Sequence, residues 1–232
     1  MDRNLLKKYV EEILVEAAVK SSQAAQQGLG LIVSDSGRTK ALVLFNVKAA
    51  AEAVANASNA GVTEQDKIMD ALEKTVVGYI NLISPGDEPQ WGAHKVTAAA
   101  AEKGYGPLMY DIAMSMFGPI TSDRHSVSPS AERIWSYYAK SRSDVEKLPF
   151  DDIDDPKTPN PKDDAKIYKD KPHSPLNAAY EGAEVNTSTL QKNAAKWIAW
   201  ASKGNIPVST IQKAIKYAGS GFFRQKYLHS ED

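Results

Sequence analysis

The sequence predicts an α/β (α+β) fold built on one mixed sheet flanked by helices. Two observations predict it. Between residues 29 and 150, apolar runs of strand length alternate with stretches of helical period. The chain has 232 residues and is 42% hydrophobic, enough to bury one sizeable core, or one core and a small appendage.

Residues 3–27 read as one amphipathic helix, with Leu5, Leu6, Val10, Ile13, Leu14 and Ala17 at helical spacing and Gly28 as its stop. L-G-L-I-V-S and K-A-L-V-L-F-N-V, split by Asp35-Ser36-Gly37-Arg38, read as a hairpin over 29–45. An alanine-rich helix follows over 47–59. Thr63 offers a cap for the next helix, which carries Ile68, Met69 and Leu72. Val76–Ile83 and Ala93–Ala100 read as strands, and residues 107–117 as a helix. Ile120–Asp123 is a short strand or its exit, and Ser128 caps a helix from 129 to about 141. Residues 149–175 are too rich in proline and aspartate to bury a core. Two final helices start near Thr187 or Ser188 and near Ser209 and form a hairpin. The chain therefore divides into an N-terminal helix (1–27), an α/β domain (28–150), a Pro/Asp-rich loop or linker (151–186) and a C-terminal helical hairpin (187–232).

Composition narrows the chemistry. A net charge of -1 gives no global attraction to nucleic acid. The absence of cysteine rules out disulfides, thiolate catalysis and cysteine zinc sites. No apolar run reaches the length of a membrane span, and no secretory signal is visible. No His/Asp/Glu spacing suggests a metal site. Charge is uneven, with 11 acidic and 6 basic residues over Asp144–Glu184 and 7 basic and 2 acidic over Thr189–Asp232. Trp197, Trp200 and Tyr217, with Lys192, Lys196, Lys203, Lys213 and Lys216, make the C-terminal hairpin aromatic and basic. Tryptophans packing it onto the main domain account for this more simply than a nucleic-acid surface does.

The stretch with most chemical content is Trp91–Tyr110. An apolar strand breaks at Gly104-Tyr105-Gly106 and restarts at Pro107 as a helix. Glycines let the backbone turn sharply and approach a ligand, and proline suits the first helical turn. Free N–H groups at that helix end favour phosphate or pyrophosphate.

Ala101-x-x-Gly104-x-Gly106, with Leu108 and Tyr110 following, resembles the acyl-CoA pyrophosphate loop of the GNAT N-acetyltransferase superfamily, which reads Gln or Arg, two residues, Gly, one residue, Gly or Ala. The wider string G-Y-G-P-L-M-Y-D-I-A-M, followed by S-D-R-x-x-V-S-P-x-A-x-x-I-W-x-Y-Y, resembles a GNAT-like subgroup encoded by tailed phages. The resemblance covers roughly residues 70–150 and implies a GNAT-like sheet with acetyl-CoA as cofactor. It implies that Lys103, Gly104, Tyr105, Gly106 and Leu108 surround the pyrophosphate. The preceding strand, with Val96 and Ala98, would pair with the pantetheine arm. The family's second motif, Asn-x-x-Ala-x-x-Leu-Tyr, falls on Ser128-x-x-Ala131-x-x-Ile134-Trp135. Tryptophan has no titratable proton for the leaving thiolate. Tyr137 and Tyr138 lie just beyond, on other helix faces. His94, His125 and Asp111 are candidate bases, and Ser122-Asp123-Arg124 leaves a strand beside the turn. The candidate catalytic set is therefore Asp123, His125, Tyr138 and His94.

The opening R-N-L-L-K-K-Y-V-E-E-I-L-V-E-A-A resembles N-terminal helices of proteins packaged into T-even-type phage heads. There a leader is removed after Leu/Ile-x-Glu, which implies a leader over 1–16 ending at Leu14-Val15-Glu16. Two functions follow from the resemblance. One is an acetyltransferase acting on an unknown amine acceptor in the host cytoplasm. The other is a non-catalytic virion protein whose partners are the phage capsid or other virion proteins.

Overall fold

The structure, a computed structural model, describes residues 19–60, 65–87, 92–123, 127–150, 174–204 and 207–228. Its elements, in chain order, are α1 (Ser21–Gln26), β1 (Leu29–Asp35), β2 (Thr39–Asn46), α2 (Val47–Asn59), α3 (Gln65–Glu73), β3 (Val76–Ile83), β4 (His94–Ala101), α4 (Gly106–Phe117), β5 (Ile120–Thr121), α5 (Pro129–Ser141), β6 (Glu146–Pro149), β7 (Ala178–Glu181), α6 (Ser188–Ala201) and α7 (Val208–Leu228). The strands form one mixed sheet in the order β1-β2-β3-β4-β5-β7-β6. The α/β class is the one the sequence predicts.

β1 to β4 form an antiparallel meander. Both faces of this sheet are covered, so both sides of its strands are apolar. Along β2, Leu42 and Leu44 enter one core with Leu31, Ile80 and Leu82. Ala41, Val43 and Phe45 alternate into the other. The first core holds α4 and α5 through Met109, Ile112, Trp135 and Tyr138. The second holds α2, α3, α6 and α7 through Val54, Leu72, Trp197 and Ile215. The Asn46 side chain accepts a bond from Ala49 N (3.0 Å), which lets β2 pass straight into α2.

Beyond the meander the direction changes. β5 runs parallel to β4, and β7 lies antiparallel between β5 and β6. The Thr121 hydroxyl, fully buried, donates to the Ala178 carbonyl at 2.9 Å and fastens β5 to β7.

Two expectations change, and one strand was not anticipated. The helix read over 3–27 does not run unbroken. Lys20 is extended (φ -79°, ψ 153°), its N–H is taken by the Gln23 side chain at 2.9 Å, and the helix at Ser21–Gln26 starts afresh. Residues 178–181, read as part of a loop or linker, form a strand inside the sheet. Glu146–Pro149, given no element from the sequence, is the edge strand, where proline is tolerated. The C-terminal helices close the second core. Asn193 donates to the Leu29 carbonyl (2.9 Å), and Trp197 packs edge-on to Phe45 with centroids 5.0 Å apart. The leader read over 1–16, the cap at Thr63 and the stretch 151–173 lie outside the described residues.

Candidate functional site

The site begins with an irregularity in β4. Leu82 pairs with Val96 and Asn81 with Ala98, so Thr97 is an extra residue opposite β3. Its hydroxyl accepts from Asn81 Nδ2 at 2.8 Å, which pins the bulge. Such a bulge bends its strand, and bulges gather beside functional sites. Below it, β4 pairs with β5 at His94–Ile120 and Lys95–Thr121 only. From Val96 to Ala101 the β5-facing edge of β4 has no strand partner among the described residues.

A cleft of two lobes fills this gap, with volumes of about 530 Å³ and about 280 Å³. Ala99, Ala100, Ala101, Tyr110, Ser130 and Ala131 line both lobes and form the neck between them. The larger lobe runs down β4 past Asp123, Val127 and Trp135, and is bordered on the α7 side by Phe223 and Lys226. The smaller lobe reaches the turn at Lys103, Gly104 and Gly106. The run of small side chains along β4 keeps the floor low.

The turn is built for a backbone site. Gly104 sits at φ +89°, where only glycine is comfortable. Its carbonyl accepts from Val19 N (3.0 Å), and the Tyr105 hydroxyl bonds Gln27 Oε1. α4 then starts with Pro107 in its first turn and no side-chain cap. Its leading N–H groups are those a helix cannot satisfy internally, so they carry a positive field towards the smaller lobe. The space is tight on the α5 side, where a Cβ on Gly106 would meet Ile134 Cδ1 at 3.1 Å. Lys103 and Arg133 border this lobe. At the other lobe's rim, Lys226 pairs with Glu102 at 2.9 Å.

The cleft brings together Val96, Ala98, Lys103, Gly104, Gly106 and Asp123 of the residues singled out from sequence. Four others are placed elsewhere. Leu108 is a core residue, 2% exposed, and does not line the cleft. Tyr105 turns its ring tip to Gln27. His94 stands at the far end of β4, roughly 20 Å from the turn at about 3.3 Å per strand residue. There its ring lies 5.9 Å from Phe117, and burial, aided by the Lys40 charge, lowers its pKa. Tyr138 is 2% exposed and does not line the cleft. Its hydroxyl is shared between Asp111 Oδ1 (2.7 Å) and the Pro107 carbonyl (3.0 Å). Arg142 grips both oxygens of Asp111 at 3.0 Å and both of Asp144 at 2.6 Å. Burial pushes the Asp111 carboxyl and the Tyr138 phenol up, while Arg142 pulls both down. This is a structural network that buttresses α4 against α5, and Asp111 belongs to it. His125 lies outside the described residues.

Four residues of the cleft were not assigned roles from sequence. Trp135, 1% exposed, forms the wall where the resemblance implies a tyrosine. Tyr110 stacks edge-on against it at 5.1 Å and 89°. Arg133 and Lys226 supply positive charge at the two rims. The first three lay within the quoted motifs, but Lys226 reaches the site from more than a hundred residues away and left no local signal.

The arrangement offers an uncapped helix start at one end, a strip of strand backbone unpaired among the described residues in the middle, and an aromatic wall at the other. Among the described residues no group of three His, Asp or Glu side chains is placed to hold a metal ion. No helix among them is long and apolar enough to cross a membrane. Comparison of the chain with protein-family models, with curated proteins and with solved structures found no match.

Proposed function

We propose that the chain binds an acyl-CoA in the cleft between β4 and β5 and transfers the acyl group to an amine. The observation that carries this reading is the free β4 edge leading directly to the uncapped start of α4. A pyrophosphate suits the α4 end. An amide-bearing pantetheine arm suits the strand edge, which needs hydrogen-bond partners along its length. The thioester would then lie in the larger lobe, beside Val96, Ala98 and the Trp135 wall. An amine enters from the open side, attacks the carbonyl carbon, and expels the thiolate.

Calorimetry with acetyl-CoA tests the reading. Binding is expected for the wild type. Gly106→Val, which drives a branched side chain at Ile134 across the seat, is expected to weaken it about tenfold or more, equivalent to about 1.4 kcal/mol or more. Absence of binding together with indifference to this substitution would end the proposal.

A second reading is favoured by one observation, the tryptophan at 135. A chain with this cleft but a tryptophan where the resemblance implies a tyrosine also suits a non-catalytic phage virion protein. That reading expects the protein to co-purify with phage particles, with residues 1–16 absent. Recovery only from the soluble fraction of infected cells would count against it.

A further inference from the structure

Three buried tyrosines pack around Trp135: Tyr110, Tyr138 and Tyr180. Two are tied by their hydroxyls, Tyr138 to Asp111 and Pro107, and Tyr180 to the Pro175 carbonyl at 2.7 Å. Tyr110 makes no side-chain hydrogen bond among the described residues, although its residue is only 3% exposed. It is also the only one of the three that lines the cleft, where it belongs to both lobes. The Tyr110 hydroxyl is not one of the closed-off side-chain atoms that lack a partner among the described residues, so it opens to the cleft, where water or a ligand atom can meet it.

We propose that Tyr110 is the catalytic acid of the acyl transfer, a phenol supplied from α4 where α5 presents Trp135. This rests on the acyltransferase reading above. The geometry favours it in two ways. Tyr110 lies one helical turn beyond Gly106, so the anion seat and the acid share one rigid element. Trp135 clamps the ring edge-on, which fixes the direction of the hydroxyl.

The step balances as follows. The amine nitrogen bonds to the thioester carbon, and the C–S bond breaks with its electron pair on sulfur. Sulfur takes the Tyr110 proton and leaves as the thiol. The proton lost by nitrogen returns through water to the phenolate. Burial raises the phenol above its ordinary value, which opposes donation. A thiolate forming in the same apolar cleft is raised by the same burial, so the transfer remains feasible.

Tyr110→Phe keeps the ring against Trp135 and removes only the unpartnered hydroxyl. Acetyl-CoA is the donor, and free thiol is measured with water, glycine, lysine or spermidine as acceptor. The variant is expected to melt with the wild type and to bind acetyl-CoA within about threefold, while thiol release slows by about 10²–10⁴-fold. With the acetyl thioester of p-nitrothiophenol, whose thiolate leaves without a proton, wild type and variant are expected to run at similar rates. Equal rates on acetyl-CoA overturn the assignment. A defect of equal size with both donors also overturns it, because it marks a structural role. So does a wild type that binds acetyl-CoA but releases no thiol with any acceptor. A wild type that does not bind acetyl-CoA removes the acyltransferase reading itself.

Discussion

Tyr138→Phe separates a structural phenol from a catalytic one. The hydroxyl it deletes donates to a carboxylate and to the Pro107 carbonyl, both inside the α4–α5 contact. The ring itself stays, and with it the contacts to Tyr110, Trp135 and Tyr180 at 6.4, 6.4 and 6.1 Å. The change in stability is therefore that of the hydrogen bonds. A hydrogen bond to a charged group contributes about 1.5–3 kcal/mol. Asp111 keeps both bonds from Arg142, but Arg142 is shared with Asp144, so the carboxylate cannot recover the lost donor from it. About 2 kcal/mol is expected, which for a chain of this length lowers the melting temperature by about 4–8 °C.

The pH dependence has a definite sign. Burial already holds Asp111 above its ordinary value, and the Tyr138 bond acts to lower it. Deleting that bond raises it further. A carboxyl with a raised folded pKa favours the folded state at low pH and loses that contribution as pH rises through it. The deficit of the variant is therefore largest near neutrality and narrows as Asp111 becomes protonated. Calorimetric melting between pH 4 and pH 7, with thiol release from acetyl-CoA measured alongside, tests this. A melting point within about 1 °C of wild type would refute the structural account. So would a lost rate with unchanged stability, which would return Tyr138 to the catalytic set.

His94→Phe is expected to flatten the loss of stability on acidification. Burial lowers the folded-state pKa of His94, so its contribution is present above the unfolded value of about 6.5 and lost as pH falls through and below it. Melting points at pH 7.5 and 5.5 check this, and an unchanged slope refutes it. Trp197→Ala is expected to cost about 3–5 kcal/mol in denaturant melts, because the ring is 2% exposed and packs on Phe45. Trp200→Ala, at a residue 45% exposed, is expected to stay within about 0.5 kcal/mol. Gly104→Ala is expected to cost about 1–3 kcal/mol from the left-handed backbone, and to weaken acetyl-CoA binding in calorimetry.

What could be read from the sequence was whatever local chemistry dictates. The apolar run of β2, the stop and restart around Gly104 and Pro107, and the Ser128 cap, whose side chain accepts from Ala131 N, each follow from a few adjacent residues. What could not be read depends on distant partners. β7 is four residues long with three weak strand formers, and it exists because β5 and β6 pair with it from either side. The break at Lys20 has no glycine or proline to announce it, and is fixed by Gln23 and by the contact of Val19 with Gly104. The bulge at Thr97 sits in a plain run of small residues and is visible only through its pairing with Asn81. For the same reason the cleft floor was legible in Val96, Ala98 and Gly104, whereas Phe223 and Lys226 were not.

The gap between β4 and β5 bears on which ligand it suits. β4 is held along β3 on one side, and β5 is held by β7 on the other. Each strand is anchored away from the gap, so neither can swing across to pair with its neighbour. The alanines are too small to fill the space, and Trp135, Tyr110 and Phe223 border it without closing it. Among the described residues no strand pairs with this edge, so six residues of it, roughly 20 Å at about 3.3 Å each, stand open to water or to a ligand. Unpaired edges in the interior of a sheet are disfavoured unless something pairs with them. A free phosphate would satisfy the α4 end and leave the edge bare. A purely apolar chain would fill the lobes and leave the same amides unpaired. A ligand that is anionic at one end and carries amides along a narrow arm meets both requirements, and that combination favours an acyl-CoA over a simple nucleotide or a lipid.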